Sequence, residues 1–210
     1  MIRLLICGLP LATLACHPGL NDQVAARSTT VPSPQTAPAM PRARTVVFVC
    51  DATGSMINKI ARLKIELMLA VQSLRPIDSF DIIFYQNTSV LKLGDDMLSA
   101  TPENKQKAEV WLDGVTTDGT CDPVAALTFG LKLRPRLLYF VTDAADFPDV
   151  PAVQNVFRTL NAGHRTKVNT SLIVETKEEQ EANKDSEPLM RSIASENGGY
   201  FQWVRTDELK

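Results

Sequence analysis

Val46-Val47-Phe48-Val49-Cys50-Asp51-Ala52-Thr53-Gly54-Ser55-Met56 passes from an apolar run to a carboxylate, two hydroxyls and a glycine. A β-branched apolar run bounded by turn residues predicts a strand buried on both faces, as in a parallel sheet. After Met56 the pattern turns helical: Ile60, Leu63, Leu67, Ala70, Val71 and Leu74 recur at three-and-four spacing over residues 56–74, and Pro76 ends the run. Asp51 therefore falls where strand gives way to helix. In doubly wound sheets ligands bind in the crevice outside the carboxyl ends of the strands. Asp51, Thr53 and Ser55 put three oxygen-bearing side chains at alternate positions of one tight loop. Such hard donors suit a small hard cation, Mg2+ or Mn2+; Mg2+ takes near-octahedral oxygen ligation at about 2.1 Å.

Strands and helices continue to alternate along the chain. Residues 80–85 read as a second buried strand, and 89–93 as a short edge strand running into the turn Gly94-Asp95-Asp96. Adjacent acids beside a glycine are read as turn residues rather than as a metal pair. Thr101-Pro102-Glu103 starts a helix with a hydroxyl cap and proline at the first position. That helix carries Trp111, read as core, to a break at Gly114. A second loop, Thr116-Thr117-Asp118-Gly119-Thr120-Cys121-Asp122-Pro123, leads into a helix over 124–133. A strand at 137–141 ends in Thr142-Asp143, so a second carboxylate closes a buried strand. It faces the crevice of Asp51 if the two strands are neighbours. A helix at 150–160, a strand at 168–174, a helix at 187–197 stopped by Gly198-Gly199 and a strand at 200–204 complete the pattern. The acidic stretch 175–187 reads as a solvated loop and partial helix, with a partner surface as the alternative.

Asp51-Ala52-Thr53-Gly54-Ser55-Met56, at a strand end before an amphipathic helix, resembles the metal-ion-dependent adhesion site (MIDAS) of von Willebrand factor type A (VWA) domains, written DxSxS. The resemblance covers about residues 44–207. It implies a Rossmann-like, doubly wound α/β fold with a mostly parallel central sheet and helices on both faces. It also implies Asp51, Thr53, Ser55 and Asp143 as metal residues, with a threonine from the second loop. The family's Gly-x-Thr-Asp pattern, kept in register with Ala126-Leu127, puts Cys121 at that threonine position; a slip of one residue puts Thr120 there. A thiol is a poor ligand for a hard cation. The implied function is divalent-metal-dependent recognition of a protein that offers an acidic side chain to the metal, with no catalysis.

Two rival readings stand beside it. The same strand end resembles the DxDGT motif of haloacid-dehalogenase-type phosphatases, with Asp51 as nucleophile and Asp143 and Asp146 as later metal acids. Thr53, however, stands where the general acid belongs. The other rival is a VWA scaffold with a degenerate metal site, whose partner docks on helices or on the acidic loop.

With 210 residues, 44% of them apolar and 22% charged, the chain has material for one domain and an N-terminal appendage. A net charge of -2 without basic runs argues against nucleic acid. Residues 1–16 carry Arg3 and then an apolar core of a signal peptide's length, too short to span a membrane, which predicts export. Thr13-Leu14-Ala15-Cys16 resembles a bacterial lipoprotein cleavage box and implies a lipid anchor at Cys16. Val24-Ala25-Ala26 is a competing cleavage site for a secreted or periplasmic form. Residues 17–44, with five prolines among Ser, Thr and Ala, read as a disordered linker, leaving 45–207 as the domain. Cys50 and Cys121 remain in it, either paired or as one buried and one loop thiol. No CxxC occurs, and His17 and His164 are isolated, so zinc is not indicated.

Overall fold

The computed structural model describes residues 42–87, 89–120, 122–144 and 149–208. The predicted leader, most of the linker, Cys16, Cys121 and Asp146 lie outside these. The elements in order are strand β1 (Thr45–Asp51), helix α1 (Ile60–Gln72), strands β2 (Ser79–Gln86), β3 (Ser89–Lys92) and β4 (Leu98–Ser99), helices α2 (Pro102–Asp113) and α3 (Val124–Lys132), strand β5 (Leu137–Thr142), helix α4 (Val150–Leu160), strand β6 (Lys167–Val174), helices α5 (Lys177–Ala182) and α6 (Glu187–Glu196), and strand β7 (Phe201–Arg205).

The sheet runs β3-β2-β1-β5-β6-β7, with β4 pairing β2. Strands β2, β1, β5, β6 and β7 are mutually parallel, whereas β3 and β4 pair antiparallel with β2. This is the expected α/β architecture, with β3 at the edge. Chain order reverses at β1: the chain leaves it for β2 on one side, and β5 flanks it on the other. Such a topological switch point, outside the carboxyl ends of the two strands, is where doubly wound sheets form a ligand crevice.

Alternation along β1 divides the core between two faces. Val46, Phe48 and Cys50 pack with Leu63, Leu67 and Val71 of α1 and Ala108 and Leu112 of α2. Val47 and Val49 pack with Leu127 and Leu131 of α3, Val153 and Phe157 of α4, and Met190 and Ile193 of α6. Trp111 is half-buried, with its ring 6.1 Å from Phe84, as its core reading requires. At Gly130 an added Cβ would stand 2.9 Å from Val49 Cγ2, so α3 seats closely on β1 only because that residue has no side chain. Cys50 is fully buried with a free thiol, so of the two cysteine alternatives it fills the buried-thiol role.

The first helix begins later than its apolar spacing predicts, at Ile60 rather than Met56. Met56 N–H donates to Thr53, Ile57 to Gly54 and Lys59 to Met56, all tight turns of the 3-10 type, and the first longer bond is Leu63 N–H to Lys59. The delay leaves residues 53–59 as a shaped loop over the crevice. The Gly94-Asp95-Asp96 turn is held by an ion pair of 2.7 Å between Asp95 and Lys92. The acidic stretch forms α5 and a short 3-10 turn, in keeping with a partial helix.

Candidate functional site

Asp51 is the last residue of β1, between Tyr85 of β2 and the end of β5, and it is fully buried. Its Oδ1 accepts from the Thr53 N–H at 2.8 Å. Its Oδ2 accepts from the Tyr85 hydroxyl at 2.9 Å and from the Thr142 hydroxyl at 2.7 Å. The Thr142 oxygen in turn accepts from the Ala144 N–H at 2.9 Å, which fixes the direction in which its hydroxyl points. Burial, followed by the nearby charge of Asp143, holds the Asp51 carboxyl above its usual range; the bonds from Thr53 and Thr142 offset this only in part. Two buried carboxylates thus lie at neighbouring strand ends, close enough for the charge of one to act on the other.

The loop after β1 is tied to the second loop through backbone. Gly54 N–H donates to Gly119 O at 3.0 Å and Asp118 N–H to Ala52 O at 3.0 Å. Gly119 has a positive φ of 69°, and a Cβ there would overlap the side-chain amide of Asn87. Asn87 Oδ1 accepts from the Thr120 N–H at 2.9 Å, and the Thr120 hydroxyl lies 3.5 Å from the same oxygen. Thr120 is exposed beside the crevice with its side chain on Asn87. Within the first loop the Thr53 and Ser55 hydroxyls share a hydrogen bond of 3.1 Å; Thr53 is buried and Ser55 exposed.

Asp143 follows β5 and is buried, and its Oδ2 lies 2.9 Å from the ammonium of Lys59. Lys59 is itself only 4% exposed. Its ammonium also meets Glu179 Oε1 of α5 at 2.5 Å. Burial by itself would lower the Lys59 pKa, but the bond to Glu179 and the charge of Asp143 more than offset it, so the ammonium is held in its charged form. Sequence reading missed Lys59. The signal was present, because Lys59 precedes Leu63 and Leu67 at four-residue intervals and so extends the buried stripe of α1 by one turn.

The structure therefore brings Asp51, Thr53, Ser55 and Asp143 to one switch-point crevice and sets Thr120 at its border. Among the described residues no group of three or more His, Cys, Asp or Glu side chains is placed to hold a metal. The donors here are of another kind, two hydroxyls beside buried carboxylates. The hydrogen-bonded Thr53 and Ser55 oxygens are 3.1 Å apart, and neighbouring oxygens on an octahedron of about 2.1 Å radius stand roughly 3 Å apart, so the pair's chemistry and spacing are compatible with a small hard cation. The site residues do not fit a phosphoryl-accepting nucleophile. Both oxygens of Asp51 are engaged by donors, the residue has no exposed surface, and Thr53 provides no acid for a leaving group.

Among solved structures, a von Willebrand factor type A protein from Catenulispora acidiphila superposes with a TM-score of 0.63 at 17% identity, covering 78% of this chain and 39% of that one. The fold is VWA-like. The pilus adhesin SpaC from Lactobacillus rhamnosus GG, in its open conformation, gives a TM-score of 0.59 at 12% identity, covering 82% of this chain and 28% of the adhesin. The heavy chain H3 of inter-alpha-trypsin inhibitor from Mesocricetus auratus is 27% identical over 120 residues, 57% of this chain and 12% of that protein. This VWA-like chain spans well under half the length of each of these proteins. No protein-family model matches the sequence.

Proposed function

We propose that this VWA-like domain recognises a protein partner at the switch-point crevice, with Mg2+ or Mn2+ held by the hydroxyls of Thr53 and Ser55. The observation that carries the reading is the 3.1 Å hydroxyl pair lying beside the buried carboxylates of Asp51 and Asp143. Neutral hydroxyls leave a divalent ion under-neutralised, so when bound it would attract an acidic side chain of the partner. Asp51 orients the loop through the Thr53 N–H, and Asp143 adds negative charge from the neighbouring strand. Thr120, or Cys121 in the other register, borders the same site from the second loop. The pilus adhesin among the similar folds and the exported leader read from residues 1–16 support a role outside the cytoplasm, in the cell envelope or secreted, with Cys16 as a lipid anchor in the first case.

The test is calorimetric titration of the full chain with Mg2+ and Mn2+, beside Ser55→Ala and Thr53→Val. Saturable binding in the native chain that both substitutions weaken supports the reading. Binding that neither substitution changes overturns it, because the ion would then sit elsewhere.

A further inference from the structure

A buried lysine is costly unless paired, and Lys59 stands where that cost is greatest. It occupies the N-cap position of α1, the positive end of the helix dipole, where a cation is disfavoured. Two carboxylates from different elements hold it there, Asp143 at 2.9 Å and Glu179 at 2.5 Å. The neighbouring Asn58 amide reaches Glu175 Oε2 at 3.2 Å, so the start of α1 is clasped to the corner where β6 turns into α5. This clasp lies across Asp143. One charge of the crevice that a divalent cation would use is therefore already matched by a cation belonging to the chain.

We propose that Lys59 is a built-in competitor of the divalent ion, an ammonium latch that holds Asp143 until metal displaces it. The inference rests on the reading of the crevice as a cation site and concerns its regulation. A divalent ion beside Asp143 would be repelled by the Lys59 ammonium already on that carboxylate, so ion uptake is opposed while Lys59 stays in place and favoured when it leaves. The exposed side of the latch is Glu179, which is partly solvated whereas Asp143 is not. A basic group of a partner that draws Glu179 away would loosen Lys59 and favour ion binding, while the ion in turn favours that partner, as linkage requires.

The experiment combines affinity with a direct view of the ammonium. Mg2+ and Mn2+ affinities are measured on the full chain and on Lys59→Gln and Lys59→Arg. Loss of the charge in Lys59→Gln is expected to tighten binding tenfold or more, and Lys59→Arg, which keeps it, to stay within about threefold of the native chain. In lysine-15N-labelled native protein the slowly exchanging Lys59 ammonium signal is expected without metal and lost in saturating Mg2+. A signal unchanged at saturation, or equal affinities for the native chain and Lys59→Gln, overturns the latch while leaving the cation site intact. The labelled native chain carries the test if the variants fail to fold. Absence of saturable binding in native and variant chains alike overturns the cation site and the latch with it.

Discussion

The Thr142 hydroxyl joins Asp51 to the backbone of Ala144: it donates to Asp51 Oδ2 at 2.7 Å while accepting from the Ala144 N–H at 2.9 Å. Its single proton is thereby committed to Asp51, so the β1 carboxylate is oriented from β5. Ala144 sits at a positive φ of 54°, an unfavourable region for a residue with a Cβ, directly after Asp143. The two acid positions are thus set by one short relay. Thr142→Val removes the relay with little change of shape and is expected to cost about 1–3 kcal/mol, the usual range when a buried acceptor loses a donor. In a double-mutant cycle with Asp51→Asn by urea unfolding, the two substitutions should couple by more than about 0.5 kcal/mol. Additive effects would mean that the hydroxyl stabilises β5 without acting on Asp51.

The second loop depends on Gly119 in a different way. Its positive φ and the Asn87 side chain packed against it leave no room for a methyl group. Gly119→Ala should therefore displace Asn87, release the Thr120 N–H and move the loop away from Gly54, at a cost of about 1–3 kcal/mol. Chemical-shift changes centred on residues 52–55 and 87 would report this. Changes confined to residues 118–120 would show that the two loops are independent.

How far the site was legible follows from what each residue does. Asp51 and Asp143 were visible because a carboxylate ending a buried strand breaks an otherwise apolar pattern. Their proximity was not, because it depends on β5 lying beside β1, a pairing between strands separated by three helices and three other strands. Tyr85 stayed hidden for a related reason, and Lys59, although in step with the buried stripe of α1, gave no sign of its partners. Tyr85 reads as one more aromatic of a buried strand, and its hydroxyl gains meaning only from the register that puts it opposite Asp51. Lys59 reads as a charged residue near a helix start, where solvent is the usual neighbour, and the acids that bury it lie more than eighty positions away. The two-residue strand β4 is too short to carry any periodicity.

At the opposite end of the sheet, Asp78 is fully buried just before β2 and accepts from both the backbone and the guanidinium groups of Arg44 and Arg75. Although burial alone would raise it, these donors hold the carboxyl well below the usual range. An acid with a lowered folded pKa stabilises the native state above its unfolded pKa, and that contribution is lost as pH falls from about 4 towards the folded value. Asp78→Asn should cost about 2–4 kcal/mol at pH 7, since it leaves guanidinium donors without their acceptor. The cost should shrink below pH 3. An equal cost at pH 7 and pH 2.5 would attribute the effect to packing.

Asp81 has the opposite character. It lies fully buried on β2, with Oδ1 accepting from the Ile82 N–H at 2.9 Å and the Gly94 N–H at 3.2 Å, while Oδ2 has no hydrogen-bond partner among the described residues. Burial raises its pKa from 3.8 to about 7, against the pull of those two amides and of Lys92. Between these values the native chain binds a proton that the unfolded chain has released, so stability falls as pH rises from about 4 to about 7 and stays lowered above that. A neutral isostere keeps Oδ1 as the acceptor and removes the penalty. Asp81→Asn is therefore expected to stabilise the protein by about 2–4 kcal/mol at pH 8, shrinking to about 1 kcal/mol or less near pH 4.5. Urea unfolding of both proteins at the two pH values measures this directly. A gain of the same size at both would show that Asp81 does not titrate between them, and destabilisation at pH 8 would show that the charged form is the one the fold prefers.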